Sequence, residues 1–84
     1  RMMAIFKVLA NTSRIKILRL IYASKDGRLS VNEIVDKMEI SQPTISIHLK
    51  LMRIQKVLKA KQEAQNIYYS ITEPLVAELI GRME

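Results

Sequence analysis

Cysteine and tryptophan are absent from this chain, and histidine occurs once, as His48. Without cysteine the protein has no disulfide framework, no thiol redox switch and no thiolate ligand for a metal ion. One histidine and no glycine-rich phosphate loop leave no group of residues that could perform acid–base, nucleophilic or phosphoryl-transfer chemistry. We therefore predict that the chain is not an enzyme and that it binds no cofactor. His48 is interpreted as a packing residue or a phosphate contact.

Glycine and proline are also scarce, with two of each in 84 residues, while 49% of the residues are apolar and 26% are charged. This composition is typical of a folded globular domain and unlike that of a disordered segment. No apolar run approaches the length of a transmembrane helix, and the chain does not open with a signal-peptide pattern. We expect a single domain over residues 1–84, located in the cytoplasm, with no membrane partner.

Positive charge is in excess, with a net charge of +6 and an isoelectric point of about 9.9. The excess is concentrated between Ile40 and Gln62, a segment that contains no Asp or Glu. A segment of this kind favours binding to a polyanion such as DNA. The alternative, judged from the residues alone, is an ordinary solvated surface. The cations of the segment are Lys50, Arg53, Lys56, Lys59 and Lys61.

Two helices are predicted at the start of the chain. Apolar residues at helical spacing indicate a first helix over Met2–Ala10, and Asn11 is positioned to cap a second helix over Thr12–Ala23. In the second helix we expect Arg14 to direct its charge outward. Ser24–Gly27 then forms a turn.

A helix-turn-helix pattern follows. Ser30-Val31-Asn32-Glu33 is a capping box that begins a third helix, and Ser41 is positioned to cap a fourth. On the fourth helix, Ile45, Leu49 and Met52 share the apolar side. Two short helices joined by a tight turn, the second opening with small polar residues, are typical of a helix-turn-helix.

After the fourth helix the pattern changes to strands. Val57–Gln62 and Asn66–Ile71 are two strand-like runs separated by a short polar link, Glu63–Gln65, which predicts a β-hairpin. Thr72 is then positioned to cap a last helix, with Pro74 in its first turn. The predicted fold is mainly α with a small β-hairpin, in the order α-α-α-α-β-β-α.

Three segments, taken together, point to a known family. Leu9–Leu18, Ile40–Lys50, and Lys59–Lys61 followed by Tyr68–Ile71 resemble, in this order, the opening motif, the recognition helix and the wing of ArsR/SmtB-type winged-helix repressors. The resemblance as a whole covers nearly the whole chain. The resemblance implies a winged helix-turn-helix repressor that binds double-stranded DNA as a homodimer, on a roughly palindromic operator.

The resemblance also implies that the first and last helices form the dimer interface. Each of the two predicted helices has an apolar stripe. Of all the apolar surfaces in the chain, a small core has the least need of these two, which agrees with an interface there. The alternative is that both stripes complete the core of a single chain. The predicted interface residues are Met2, Ile5, Phe6, Leu9, Leu75, Val76, Leu79, Ile80 and Met83.

When the family's DNA contacts are carried over position by position, the resemblance implies that residues at the start of the fourth helix face the major groove. Gln42 is expected to bridge an adenine through its amide. Ile47 stands where the family commonly has His or Arg, and we expect it to pack on a thymine methyl and shift the site toward A·T pairs. The alternative for Ser41 is that it serves only as a helix cap. The alternative for each lysine is that it is a solvated surface charge. The predicted base-facing residues are Ser41, Gln42, Thr44, Ser46 and Ile47, and the predicted phosphate-facing residues are Lys50, Arg53, Lys59 and Lys61.

The sequence departs from the family in two places. The family's metal sites use a Cys pair before the recognition helix, or Asp, His and Glu across the last helices. At these locations this chain has Val31–Asp36, and Glu73 and Glu78 without histidine, so we predict no metal site. The wing tip, Glu63–Asn66, has one acid and no cation. It is expected to contribute little, or to contact the minor groove through Gln65 or Asn66.

Two other functions stay open on the sequence alone. One is a winged-helix module that binds another protein through its apolar terminal helices, its basic surface being incidental. The other is a helix that lies on a membrane surface. The acid-free segment argues against the first function, and the lack of a large aromatic and apolar face on the basic helix argues against the second.

Overall fold

The computed structural model describes all 84 residues, Arg1–Glu84. Five helices and three strands follow one another in the predicted order, except that an additional strand precedes the third helix. No helix has both the length and the apolar character needed to cross a lipid bilayer. The helices are α1 Met2–Leu9, α2 Thr12–Ala23, α3 Val31–Lys37, α4 Gln42–Ile54 and α5 Pro74–Arg82; the strands are β1 Arg28–Ser30, β2 Leu58–Glu63 and β3 Asn66–Ile71.

The junction of α1 and α2 is held by hydrogen bonds from Arg14. Asn11 caps α2 as predicted, because its side-chain oxygen accepts from the Arg14 backbone N–H at 3.0 Å. The Arg14 guanidinium was expected to face solvent, but it is half-buried and donates to the backbone carbonyls of Lys7 and Val8, each at 2.9 Å. These carbonyls end α1 and have no partner within the helix. Arg14 therefore links the end of α1 to the start of α2 through hydrogen bonds.

The predicted capping box of α3 is confirmed. The Glu33 backbone N–H donates to the Ser30 hydroxyl at 3.2 Å, and the Ser30 N–H donates to the Glu33 carboxylate at 2.9 Å. Ser30 is also the last residue of β1, so one buried serine ends a strand and begins a helix. The start of the helix-turn-helix is therefore fixed to the sheet.

The sheet has three antiparallel strands, in the order β1-β3-β2. The β2–β3 hairpin is confirmed, with Ala64 at φ 55 in its two-residue turn. Strand β1 was not predicted, because three residues are too few to show an alternating pattern. It pairs with β3 so that Leu29, which is buried, lies opposite Tyr69. The side chains of Leu29 and Tyr69 therefore lie on the face of the sheet that packs on the core.

Helix α4 ends in a left-handed residue that redirects the chain into the wing. Lys56 has φ 61, its N–H donates to Arg53 O at 3.0 Å, and the Val57 N–H donates to Met52 O at 2.9 Å. This is a Schellman motif with lysine at the position where glycine is usual. Val57 thus belongs to the helix terminus, and β2 begins one residue later than predicted, at Leu58.

The N-terminus of α5 also differs from the prediction. Thr72 was expected to be its cap, but the Thr72 N–H donates to Val57 O at 2.9 Å, which continues the pairing of the sheet. The cap is Glu73, whose carboxylate accepts from the Leu75 N–H at 2.8 Å. Pro74 occupies the first turn as predicted.

One core contains side chains from all five helices and from β1 and β2. At Gly81, α5 approaches α2 so closely that an added Cβ would lie 2.6 Å from the Tyr22 hydroxyl. Three residues predicted for the dimer interface, Ile5, Val76 and Ile80, belong to this core and are at most 3% exposed. The core residues are Ile5, Val8, Ile17, Leu18, Ile21, Leu29, Ile34, Ile45, Leu49, Met52, Val57, Leu58, Val76 and Ile80.

Replacing Ser30 by alanine should lower the free energy of unfolding by about 1 kcal/mol, because the Glu33 N–H loses its acceptor at the start of α3. Urea denaturation at a fixed protein concentration measures this change. The control is Asn32→Ala in the first turn of the same helix, where the side chain is exposed. An equal loss of stability in both variants would contradict a capping role for Ser30.

Candidate nucleic-acid interface

Helix α4 packs one apolar side on the core and leaves its other side in solvent. Ile45, Leu49 and Met52 are at most 1% exposed. The opposite side of the helix faces solvent. Every predicted contact residue is exposed, both on α4 (Ser41, Gln42, Thr44, Ser46, Ile47, Lys50, Arg53) and on β2 (Lys59, Lys61). The surface these nine residues form is called the basic surface below.

The first turn of α4 has hydroxyl groups directed to solvent. Ser41 occupies the N-cap position, but its side chain makes no hydrogen bond to a backbone N–H of the helix. Its hydroxyl instead lies 3.0 Å from the Thr44 hydroxyl, and both residues are exposed. Ser41 therefore occupies the cap position without capping the helix through its side chain. The two hydroxyls form an exposed polar pair beside Gln42.

One edge of α4 is apolar, a feature that the sequence analysis missed except at Ile47. Ile47 is 67% exposed, and Leu51 and Ile54 follow it four and seven residues later with 38% and 59% exposure. This spacing puts the three side chains on one edge of the helix. The signal was present in the sequence, but the apolar pattern of α4 was attributed to the core alone.

The wing has one apolar face and one polar face. Lys59 pairs with Ser70 and Lys61 with Tyr68 across the β2–β3 ladder, so both lysines project from the same side of the sheet. The neighbouring Leu58 projects from the other side, into the core. Both lysines are exposed on the polar face of the wing.

Glu63, the single acid of the wing tip, is not free. Its carboxylate accepts two hydrogen bonds from the Arg28 guanidinium, at 2.5 and 3.2 Å, and lies 3.7 Å from the Lys61 ammonium. The hydrogen bonds from Arg28 lower the pKa of Glu63, and nearby Lys61 adds to this effect. Arg28 also lies 4.1 Å from the centroid of the Tyr68 ring. Sequence reasoning missed Arg28, because only the pairing of β1 with β3 brings it to the wing.

His48 lies half-buried on α4, between the core and the exposed side. Burial lowers the pKa of His48, and the positive charge of Arg14 lowers it further. The imidazole is therefore largely neutral at pH 7. No three His, Asp or Glu residues of the chain converge in a way that could hold a metal ion.

A helix-turn-helix, a wing with two lysines and an acid-free basic surface define a winged helix-turn-helix DNA-binding protein. Residues 11–55 match the family model described as "Bacterial regulatory protein, arsR family". The chain belongs to this family, and the predicted resemblance is confirmed.

Individual relatives agree with this assignment. The transcriptional repressor PagR of Bacillus anthracis is 38% identical over 76 residues, which are 90% of this chain and 74% of PagR. Its crystal structure has a TM-score of 0.83 at 37% identity and covers 94% of this chain and 87% of that one. The transcriptional repressor SdpR of Bacillus subtilis is 32% identical over 79 residues, which are 94% of this chain and 84% of SdpR. The structure of HlyU from Vibrio cholerae has a TM-score of 0.87 at 30% identity and covers 96% of this chain and 85% of that one.

The family and the shared fold give the class of function. This chain is a DNA-binding transcription regulator and not an enzyme, as predicted. The mainly α fold with a wing is likewise confirmed, with strand β1 as an addition. The alternative of a protein-interaction module with an incidental basic surface is the less supported interpretation.

The lowered pKa of His48 predicts that the protein loses stability as the pH falls below about 6.5. The unfolded chain takes up a proton at His48 near that pH, whereas the folded chain takes it up only at lower pH, so acid favours unfolding. Denaturant unfolding at about pH 7.5 and 5.5 should show a smaller decrease for His48→Gln than for the unmodified protein. Identical decreases would contradict this environment for His48.

Proposed function

We propose that this protein is a repressor that binds a palindromic operator as a homodimer and prevents transcription by occupying the promoter. The observation that carries the proposal is the basic surface itself: its nine residues are all exposed, and they come from a stretch of the chain, Ile40–Gln62, that contains no Asp or Glu. Two recognition helices of a dimer would enter major grooves about 34 Å apart. PagR and SdpR are both named repressors, which supports repression as the direction of control.

The proposed contacts separate into those that read bases and those that hold the backbone. Gln42 is long enough to bridge an adenine through its amide, and exposed Ile47 offers a methyl-bearing surface to thymine. Ser41, Thr44 and Ser46 supply hydroxyls for base edges or phosphates. The cations neutralise phosphates and position the protein without specifying sequence. These cations are Lys50, Arg53, Lys59 and Lys61.

Dimerisation is proposed through the exposed parts of α1 and α5. Met2 and Phe6 are each 51% exposed and Met83 is 48% exposed, while Leu9, Leu75 and Leu79 are half-buried. An ion pair at 3.4 Å between Arg1 and Glu73 brings the starts of the two helices together. Covering such a surface would add apolar burial that an 84-residue core lacks. Each stripe would thus serve both the core and the interface.

We further propose a single domain over residues 1–84 that acts in the cytoplasm without sensing a metal. The carboxylates at the family's last-helix metal position are engaged within the chain. Glu73 accepts from the Leu75 N–H, and Glu78 pairs with Arg82 at 3.1 Å. Neither is accompanied by a histidine, the usual nitrogen ligand. Regulation would then depend on a non-metal ligand, a protein partner or the amount of protein.

Replacing Gln42 by alanine should abolish the preference of the protein for some promoter fragments over others. Removing a bidentate base contact costs about 1–3 kcal/mol of discrimination in each half-site. Binding of the purified protein to labelled promoter fragments, at two salt concentrations, measures both affinity and preference.

The matched control for the base contact is the double variant Lys59→Ala/Lys61→Ala. It should weaken binding to all fragments alike and reduce the salt dependence by about 0.9 for each phosphate that the protein no longer neutralises. Weak binding to every fragment, unchanged by Gln42→Ala, would mean that α4 does not read bases. The protein-interaction function would then be the one to test.

Replacing Phe6 by glutamate should convert the dimer to a monomer, because it introduces a charge into the centre of the proposed interface. Sedimentation equilibrium should report twice the 9.7 kDa chain mass for the unmodified protein and a single chain for the variant. Ile67→Glu makes the same change at an exposed apolar residue of the wing and should leave the dimer intact. A monomeric unmodified protein would refute the proposed interface.

A further inference from the structure

Arg28 and Glu63 form a half-buried ion pair at the wing, and neither belongs to the basic surface defined above. Each of the two terminal nitrogens of the guanidinium donates to one carboxylate oxygen, at 2.5 and 3.2 Å. The side chains are 34% and 41% exposed. The remaining residues of the wing tip, Ala64, Gln65 and Asn66, are uncharged, and the cations that pair with Glu63 are Arg28 and Lys61.

We propose that Arg28 is a DNA-contacting residue of the wing, and that Glu63 occupies its guanidinium in the free protein and yields it to a backbone phosphate when DNA binds. The inference rests on the proposed DNA-binding function. It adds to that function a contact residue from β1 and a carboxylate that lowers affinity for the nucleic acid.

The geometry of the pair supports this exchange. A guanidinium binds carboxylate and phosphate in the same forked manner, through two parallel N–H groups. The Glu63 carboxylate therefore stands where a phosphate oxygen pair would bind. Arg28 projects from the same face of the sheet as Lys59 and Lys61, because Arg28 and Lys59 both pair with Ser70, and Lys61 with the next outward-facing residue of β3, Tyr68.

Two neighbouring groups lower the free-energy cost of the exchange. The Tyr68 ring lies 4.1 Å from the guanidinium carbon and holds the cation by its face, leaving the N–H groups at the edge to change partners. Lys61, 3.7 Å from Glu63, stays beside the carboxylate after Arg28 turns away. An ion pair with this exposure contributes little to stability, since water and salt screen it.

The exchange would change the affinity for DNA but not the sequence preference. A phosphate contact adds affinity for every DNA sequence alike, so a carboxylate that competes for it lowers affinity for all sequences without changing preference. Glu63 would thus weaken non-specific binding and leave base reading to α4.

The test is a double-mutant cycle on operator binding, with Glu63→Gln, Arg28→Gln and the double variant. Glu63→Gln should tighten binding about two- to five-fold for each wing, on operator and unrelated DNA alike. Arg28→Gln should weaken binding and reduce the salt dependence by about 0.9 for each wing. In the Arg28→Gln background, Glu63→Gln should change the affinity for DNA no more than the loss of any other carboxylate does.

Two controls separate the pair from charge and from folding. Glu84→Gln removes a carboxylate that pairs with Arg19 at 2.9 Å, and so makes the same charge change away from the wing. Arg28→Lys keeps the charge but lacks the fork, and it should recover only part of the affinity. Urea unfolding of each variant identifies any that does not fold, and Arg28→Met, which keeps the length of the side chain but not its charge, then replaces Arg28→Gln in the cycle.

Three results would overturn the inference. Equal tightening by Glu63→Gln in both backgrounds would mean that the carboxylate repels DNA directly. Weaker or unchanged binding by Glu63→Gln would mean that the pair only shapes the wing. If Glu63→Gln tightened DNA binding no more than Glu84→Gln does, the effect would come from the net charge alone. The proposed function fails separately, if the unmodified protein shows no preference among fragments and Gln42→Ala changes nothing.

Discussion

The burial of one side of α4 is the constraint on which the proposed DNA-binding surface depends. Ile45, Leu49 and Met52 are almost completely buried, and a rotation of the helix by one residue, about 100°, would remove this stripe from the core. Each such side chain contributes about 1.5–3 kcal/mol when buried. The whole stripe is thus comparable with the total stability of a domain, about 5–15 kcal/mol. With this rotation fixed, Gln42 and Ser46 face outward.

Polar contacts at the junctions then fix how neighbouring elements are joined. Arg14 fastens α1 to α2, the Ser30–Glu33 box joins β1 to α3, and Lys56 redirects the chain from α4 into the wing. No buried side-chain nitrogen or oxygen lacks a hydrogen-bond partner. These contacts matter for the proposed function, because base reading by α4 and phosphate contact by the wing would need the two elements at a fixed separation.

Much of the fold could be predicted because its signals are local. Asn11 and the Ser30–Glu33 box each act over three residues, so they are visible in the sequence as caps. The recognition helix was predicted for the same reason. Strand β1 was missed because its three residues become a strand only by pairing with β3, about 40 residues away in the chain. Thr72 was wrongly expected to cap α5 because its pairing with distant Val57 is equally non-local.

The sequence by itself therefore determined the helices, the hairpin, the acid-free stretch of the recognition helix and wing, and the family. Only the tertiary structure decided which apolar residues of α1 and α5 are core and which are exposed, because a helical stripe has the same pattern whether it packs inside one chain or between two. The pairing of Arg28 with Glu63 was also decided there. These residues are 35 positions apart in the chain. They meet because β3 pairs with both β1 and β2, which brings the two strands into one sheet.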